Sequence, residues 1–264
     1  MLIAALQMEP TPTDFAANHA TIERAARAAV EMGASLLVTP ELSLSGYALG
    51  RRFAEVAERA DGAAVSRLRA LSEELGLAIV AGFPERDGEK VYNSAVLVKP
   101  DGSQHVYRKC HLYGPAEKAV FAVSDAVPAV MTVGNLRVGL LICYDVEFPE
   151  MVRGLALAGA KLIIVPTALP AGPASRHVSN LVVPARAMEN QLFIVYADMC
   201  GQENGLGYEG RSVIAAPDGE YLARAGQDET LLFARINPGA YAVTDAETPY
   251  LTDRRPELYR KFDV

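Results

Sequence analysis

The chain has 264 residues, a formal net charge of -7 and 50% hydrophobic residues, which is enough apolar material for a sizeable core. The acidic balance, with no basic stripe interleaved with aromatics, excludes nucleic acid as an expected partner, and no apolar run is long enough to cross a bilayer. Three cysteines (Cys110, Cys143 and Cys200) argue against a disulfide framework and for a reducing, cytoplasmic setting. The four histidines (His19, His105, His111 and His177) lack metal-ligand spacing, so no metal site is expected.

The N-terminal stretch MLIAALQMEP has no basic region and meets Glu9-Pro10 early, so it reads as a first strand (2–8) rather than a signal peptide. Asp14 caps a predicted helix running to about Met32, with Ile22, Ala25, Ala26, Ala29 and Val30 on one face and His19 expected on the solvated one. A buried strand (35–38) follows and leads through Thr39-Pro40 to Glu41 and a glycine-bearing loop, Leu44-Ser45-Gly46-Tyr47. Next come a helix over about 63–75, stopped by Gly76, a strand over 77–81, and an alternating strand over 91–98 that turns at Asp101-Gly102. A short strand then ends in Lys109, before the Gly/Pro loop 113–118. Farther on, the apolar run Leu140-Leu141-Ile142 stops at Cys143, and a helix-like stretch begins after Phe148-Pro149. The tail after Pro238 has little helix pattern, and from about 239 it is expected to pack on a neighbouring subunit.

This order is that of an α/β protein. A faint internal repeat sharpens it. GASLLVTP (33–40) echoes GAKLIIVP (159–166), and Ser94–Gly102 echoes Ser212–Gly219, each ending Pro-Asp-Gly. Two similar halves, meeting near residue 126, predict one two-sheet sandwich with helices outside, as a single domain over 1–264.

Glu41, Lys109 and Cys143 each follow a predicted strand. Taken singly, each has an ordinary reading: a loop carboxylate, a solvated surface charge, a small buried hydrophobe. Together, at the carboxyl ends of strands in an α/β sheet, they are placed to converge. Their chemistry is complementary. A cysteine thiol, with an ordinary pKa of about 8.5, is a weak nucleophile until a base takes its proton. Glu41 is that base, and it returns the proton to the leaving amine. Lys109 and the backbone N–H of Tyr144 face the oxyanion, and water then releases the acid from a thioester. This scheme needs no metal and no organic cofactor.

The segments TPELSLSGY, YRKCHLYGPAEK and CYDVEFPE, in this order, resemble the nitrilase superfamily of carbon–nitrogen hydrolases, and the resemblance runs from Leu2 to about Tyr259. It implies a four-layer αββα sandwich with two pseudo-symmetric halves, assembly as a homodimer or larger homo-oligomer, and a second active-site carboxylate at Glu117 that orients Lys109 or the substrate nitrogen. Branches acting on nitriles or carbamoyl putrescine tend to carry Trp after the cysteine, where this chain has Tyr144. Branches gripping a substrate carboxylate carry Arg where this chain has Glu147. In a pocket, Glu147 attracts an ammonium; alternatively it bonds within its own turn or to Arg186. CYDVEFPE, VPARAMENQ and TPYLTDRRPEL look like the short-chain amidases, including 5-aminopentanamidase and R-stereoselective amidases. That likeness implies hydrolysis of a small primary amide, with or without an amine, to acid and ammonia. Tyr47, Glu147, Thr167 and Ala168 are the expected substrate-binding residues, with Tyr144 beside them. Arg186 and Asn190 are expected to tie a helix to the core. The alternatives are a carbamoyl-amine hydrolase, a nitrilase, or an inactive scaffold homologue; against the last, Glu41, Lys109, Glu117 and Cys143 are all present.

Overall fold

The computed structural model describes residues 1–173 and 175–262. Strand β1 (Leu2–Gln7) leads into helix α1 (Phe15–Glu31), β2 (Leu36–Val38), the short α2 (Phe53–Val56), α3 (Ala63–Leu75), β3 (Ala78–Asp87), β4 (Lys90–Val98), β5 (Gln104–Arg108) and the short α4 (Gly114–Lys118). The chain continues through β6 (Val130–Val133), β7 (Leu136–Leu140), α5 (Pro149–Leu157), β8 (Leu162–Thr167), α6 (Val183–Asn190) and β9 (Phe193–Asp198). It closes with the hairpin β10 (Gln202–Glu203) and β11 (Leu206–Gly207), then β12 (Val213–Ala215), β13 (Tyr221–Arg224), β14 (Thr230–Arg235), α7 (Ala242–Glu247) and α8 (Pro256–Tyr259).

The long strands form two six-stranded sheets, ordered β14-β1-β2-β3-β4-β5 and β13-β12-β9-β8-β7-β6. In each, three central strands run parallel: β1, β2 and β3 in one, β7, β8 and β9 in the other. Antiparallel strands flank them. The repeat seen in the sequence is therefore a topological one, with β1, β2, β3 and β4 matching β7, β8, β9 and β12. One strand breaks the simple division near residue 126: β14, near the end of the chain, pairs with β1 along its whole length.

The layers follow from the apolar alternation. Ile3, Ala5, Leu36, Val38, Ala78 and Val80 face the second sheet, in a core shared with Val138, Leu140, Ile164 and Val195. Their neighbours Ala4, Leu6, Leu37, Ile79 and Ala81 face outward against Ile22, Ala26, Val65 and Leu68 of α1 and α3. Helices α5 and α6 cover the other side, through Val152, Leu155, Val183 and Ala187. Parallel strands buried on both faces need such continuous apolar runs, and LLV and LIIV supply them. The fold is thus the αββα sandwich.

Local signals set the helix ends. The Asp14 carboxylate accepts the Ala17 N–H at 2.9 Å, and α3 stops at Gly76 in the left-handed conformation. Three readings change. His19 is buried, not solvated: it shares the stripe of Ile22, Ala26 and Ala29, and burial pushes its pKa down to about 4. Strand β3 runs on past Ala81 to Asp87, through Gly82 and Pro84, because its partner β4 continues the ladder to Lys90. The tail is not featureless: it carries α7 and α8, and its first part packs on its own chain, where Tyr241 meets Phe193 edge-on and the Asp245 carbonyl accepts from Gln191.

Candidate active site

Glu41 leaves β2 at its carboxyl end and is fully buried. The loop carrying it lies against β3 at Gly82, where a Cβ would sit 2.1 Å from the Leu42 backbone nitrogen, so no larger residue lets the loop pass. Lys109 follows β5, with its backbone N–H on the Asn93 carbonyl at 2.9 Å and its side chain buried. The Lys109 Nζ lies 2.6 Å from Glu41 Oε1 and 2.7 Å from Glu117 Oε1. Glu117, on α4, also accepts the Tyr47 hydroxyl at 2.6 Å on that same oxygen and the Tyr113 N–H at 2.8 Å on the other. One ammonium is thus shared by two carboxylates in a site closed to water. Buried charge of this kind persists only when it is paired and hydrogen-bonded, as it is here.

Cys143 sits just beyond β7, at the start of a short 3-10 turn (Cys143–Glu147), with a φ of +47°. Few non-glycine residues adopt this conformation, and such outliers gather at functional sites. Asp145 pins the turn: its carboxylate accepts the Ile142 N–H, the Tyr107 hydroxyl at 2.8 Å and the His111 N–H at 2.8 Å. His111 is accordingly structural in its contacts, with its ring on Asp145 and stacked at 3.8 Å on Phe148. The Tyr144 ring is half-buried, edge-on to Tyr113 and Phe148.

The charges act on one another. Burial pushes Glu41 up to about 7, against the pull of Lys109, with Glu117 adding to the rise. Burial would lower Lys109, but the charges of Glu41, Cys143 and Glu117 outweigh it and hold the amine above the ordinary lysine range. Burial raises the Cys143 thiol well above its usual value; Glu41 adds to this, and Lys109 opposes it. At rest, then, the thiol keeps its proton, the lysine is charged, and a carboxylate near neutrality stands by.

The structure brings Glu41, Lys109 and Glu117 into direct contact, and the field of all three reaches Cys143. Ala168 holds Glu41 from the second sheet, its N–H 2.8 Å from Oε2. Thr167 is fully buried, and its hydroxyl bonds back to the Val165 carbonyl. Arg186 reaches the carbonyls of Val146 and Glu147 and so ties α6 to the Cys143 turn, as expected of it, and it also meets the carboxylate of Glu189; Asn190, expected to do the same, instead donates to the Arg186 carbonyl within α6 itself. The Glu147 carboxylate is half-buried and, among the described residues, has no basic group within 4 Å. Burial raises its pKa, and Lys109 and Arg186 pull it back. A cavity of about 250 Å³, lined by Tyr47, Phe53, Glu117, Val120, Phe121 and Leu206 among others, backs the Tyr47–Glu117 pair.

Asn93 is a contact the sequence reading missed. Its amide donates to Glu41 Oε1 at 2.6 Å. Its signal was a polar amide, beside Ser94, inside a mostly apolar and buried stretch of β4. Asp145 was likewise passed over within CYDVEFPE. No group of three or more metal-ligating side chains and no membrane-crossing helix occurs among the described residues.

An αββα sandwich with a buried carboxylate–lysine cluster at its strand ends defines a class, and the known proteins agree. A solved amidase from Nesterenkonia sp. AN1, bearing acrylamide added at its active site cysteine, superposes with a TM-score of 0.89 at 39% identity over 99% of each chain. An (R)-stereoselective amidase from Pseudomonas sp. is 40% identical over 83% of this chain and 79% of its own. A nitrilase from Pyrococcus abyssi is 38% identical over 97% of this chain and 98% of its own. The family model for carbon-nitrogen hydrolases matches residues 2–245, and the chain belongs to that family of enzymes.

Proposed function

We propose that this enzyme hydrolyses small primary amides, amine-bearing ones among them, to a carboxylic acid and ammonia through a Cys143 thioester. The observation that carries this reading is the buried Lys109 ammonium clamped between Glu41 and Glu117, whose combined field bears on Cys143. Cys143 attacks the amide carbonyl as its proton passes to Glu41, a base tuned close to neutral pH. Lys109 and the Tyr144 N–H, at the unsatisfied start of the 3-10 turn, stabilise the oxyanion. Collapse expels ammonia with the proton from Glu41 and leaves the acyl group on sulfur. Water then attacks the thioester, giving a proton to Glu41, which returns it to the departing thiolate.

Glu147 supports the amine preference. It is a half-buried carboxylate with no salt-bridge partner among the described residues, within the field of Lys109, and it would welcome an ammonium and repel a carboxylate. Tyr47, Thr167 and Ala168 complete the proposed substrate surroundings. The similarity to proteins named amidases favours the amide over the nitrile or carbamoyl reading. The whole chain works as one catalytic unit, since β14 completes the sheet begun by β1. Its three described thiols are unpaired, consistent with a cytoplasmic setting. A homodimer or larger assembly is the family expectation, and solution mass reads it directly.

The test is ammonia release from 5-aminopentanamide, aliphatic amides, a carbamoyl amine and a nitrile, with Cys143→Ala as the blank. Turnover of the amides, amine-bearing ones foremost, is expected. Turnover of the carbamoyl amine or nitrile alone would overturn the substrate class.

A further inference from the structure

We infer that Glu203 is a positioning residue for catalysis, acting through Tyr47 and Glu117 to fix the Lys109 ammonium. This rests on the reading that Lys109 and Glu117 serve the reaction. Glu203 lies on the β10–β11 hairpin, distant in sequence from the SGY loop (45–47), and is 2% exposed. Its Oε2 accepts the backbone N–H groups of Tyr47 and Ala48, each at 2.8 Å, and the Tyr208 hydroxyl at 2.8 Å. Among the described residues it has no basic partner within 4 Å, and its Oε1 has no hydrogen-bond partner. Two of the three hydrogen bonds to this carboxylate therefore come from the backbone of one loop, the third from Tyr208.

The loop is shaped to receive it. Gly46 has a φ of +86°, and a Cβ there would lie 2.5 Å from Glu203 Oε1. The glycine of SGY thus provides both the left-handed turn and the room for the carboxylate. From the same hairpin, Asn204 donates to the Ala48 carbonyl at 2.9 Å, so Ala48 is held from both of its polar groups. The Tyr208 ring meets the Tyr47 ring edge-on at 6.2 Å.

With its backbone fixed, Tyr47 delivers its hydroxyl to Glu117 Oε1, the oxygen that also binds Lys109. Burial and the nearby Glu41 and Glu117 charges keep that phenol protonated, hence a donor. The relay runs from Glu203 to the Tyr47 backbone, from the Tyr47 hydroxyl to Glu117, and from Glu117 to Nζ. A displacement of about 1 Å in a catalytic group costs about 100-fold in rate, so the far end of this relay is felt at the near end.

What matters here is reach and the ability to accept, not charge. Glu203→Gln keeps both and should retain turnover. Glu203→Asp keeps the charge but falls one methylene short; it should lose kcat by about 10- to 100-fold with less change in KM. Combining Glu203→Asp with Tyr47→Phe should cost no more than the worse single variant, because both cut one relay. Thermal midpoints measured alongside separate folding from rate. An active Asp variant beside a dead Gln variant, a lowered midpoint with kcat unchanged, or losses that multiply in the double variant would each overturn the assignment of Glu203. Tyr47→Phe and Lys109→Ala both turning over at the parental rate would instead overturn the reading on which it rests.

Discussion

The two halves of the sandwich share a frame and, in the proposed mechanism, divide the chemistry. In the first, β2 runs through Thr39-Pro40 to Glu41; in the second, β8 runs through Val165-Pro166 to Thr167, at the matching place in the matching sheet. The first strand end presents a carboxylate. The second turns its hydroxyl back on Val165 and offers only the next N–H, from Ala168, which grips that carboxylate. The first strands differ in the opposite sense. Beyond β7 stands Cys143, whereas β1 ends in Gln7, whose amide pins Ser212 and the carbonyls of Gly226 and Asp228. In the proposed mechanism the acid–base group and the cation thus come from one half, and the nucleophile with its turn from the other. A repeated fold has supplied equivalent strand ends, and each reactive group occupies only one copy.

This division is broken most severely by removing the cation. Lys109→Ala deletes the proposed oxyanion partner and should lower kcat by about 100- to 1000-fold. It also leaves Glu41 and Glu117 buried together without a counterion, which should cost about 3–5 kcal/mol of stability. Steady-state rates and a denaturation midpoint, measured on one preparation, test both effects. Parental turnover would mean that the first half contributes no essential charge.

The next effect is read without mutation. As the proposed base, Glu41 must be ionised to accept the thiol proton, and burial has raised its pKa to about 7. The limb of kcat/KM should therefore fall about tenfold per pH unit below about 7 and flatten above it. Because the surrounding carboxylates hold Lys109 protonated despite its burial, its loss of charge should not cut activity at moderately alkaline pH. An acid limb in the ordinary carboxylate range would place the base elsewhere.

A smaller effect sharpens the contribution of the second half to selection. Glu147→Arg should shift the kcat/KM ratio from amine-bearing toward carboxylate-bearing amides by roughly tenfold or more, since the charge at that site reverses sign. An unchanged ratio would put the Glu147 carboxylate outside the substrate's reach.

How much of this was legible follows from the range of each interaction. Glu41 and Cys143 could be found because each follows an apolar run that announces it locally, and Lys109 because it closes a short strand just before the Gly/Pro loop 113–118. Asn93 touches Glu41 across 52 positions, and only the fold brings them together. Ala168 contributes a backbone N–H, which no side-chain pattern records. Strand β14 could not be assigned to the first sheet from its own sequence, because a strand's partner is set by the whole packing. His19 was misjudged for a nearer reason. A helix rich in small alanines shows a weak stripe, and a histidine at its edge reads as polar although the spacing to Ile22 and Ala26 places it inside.

The smallest expected effect lies in a further asymmetry. β3 and β9 are equivalent strands, and counting along them from the paired residues Leu36–Ala78 and Leu162–Phe193 sets Phe83 where the second half has Asp198. Asp198 is fully buried. One oxygen accepts the Leu169 N–H at 2.9 Å, and the other has no hydrogen-bond partner among the described residues. Burial, with Glu41 adding to it, raises its pKa well above the ordinary carboxylate value. Between that ordinary value and the raised one, the folded chain binds a proton that the unfolded chain has released. The stability tied to this proton is complete below the ordinary carboxylate range and is lost, at about 1.4 kcal/mol per pH unit, as pH rises toward the folded value. Asp198→Asn is an uncharged isostere that cannot suffer this loss. Its unfolding free energy should match the parent near the ordinary carboxylate pKa and exceed it increasingly with pH, while the contribution of Glu41, common to both proteins, cancels. Denaturation at a series of pH values gives the difference directly. A constant gap would mean that Asp198 is ionised in the fold without cost, and that the second half tolerates a bare carboxylate where the first has an aromatic ring.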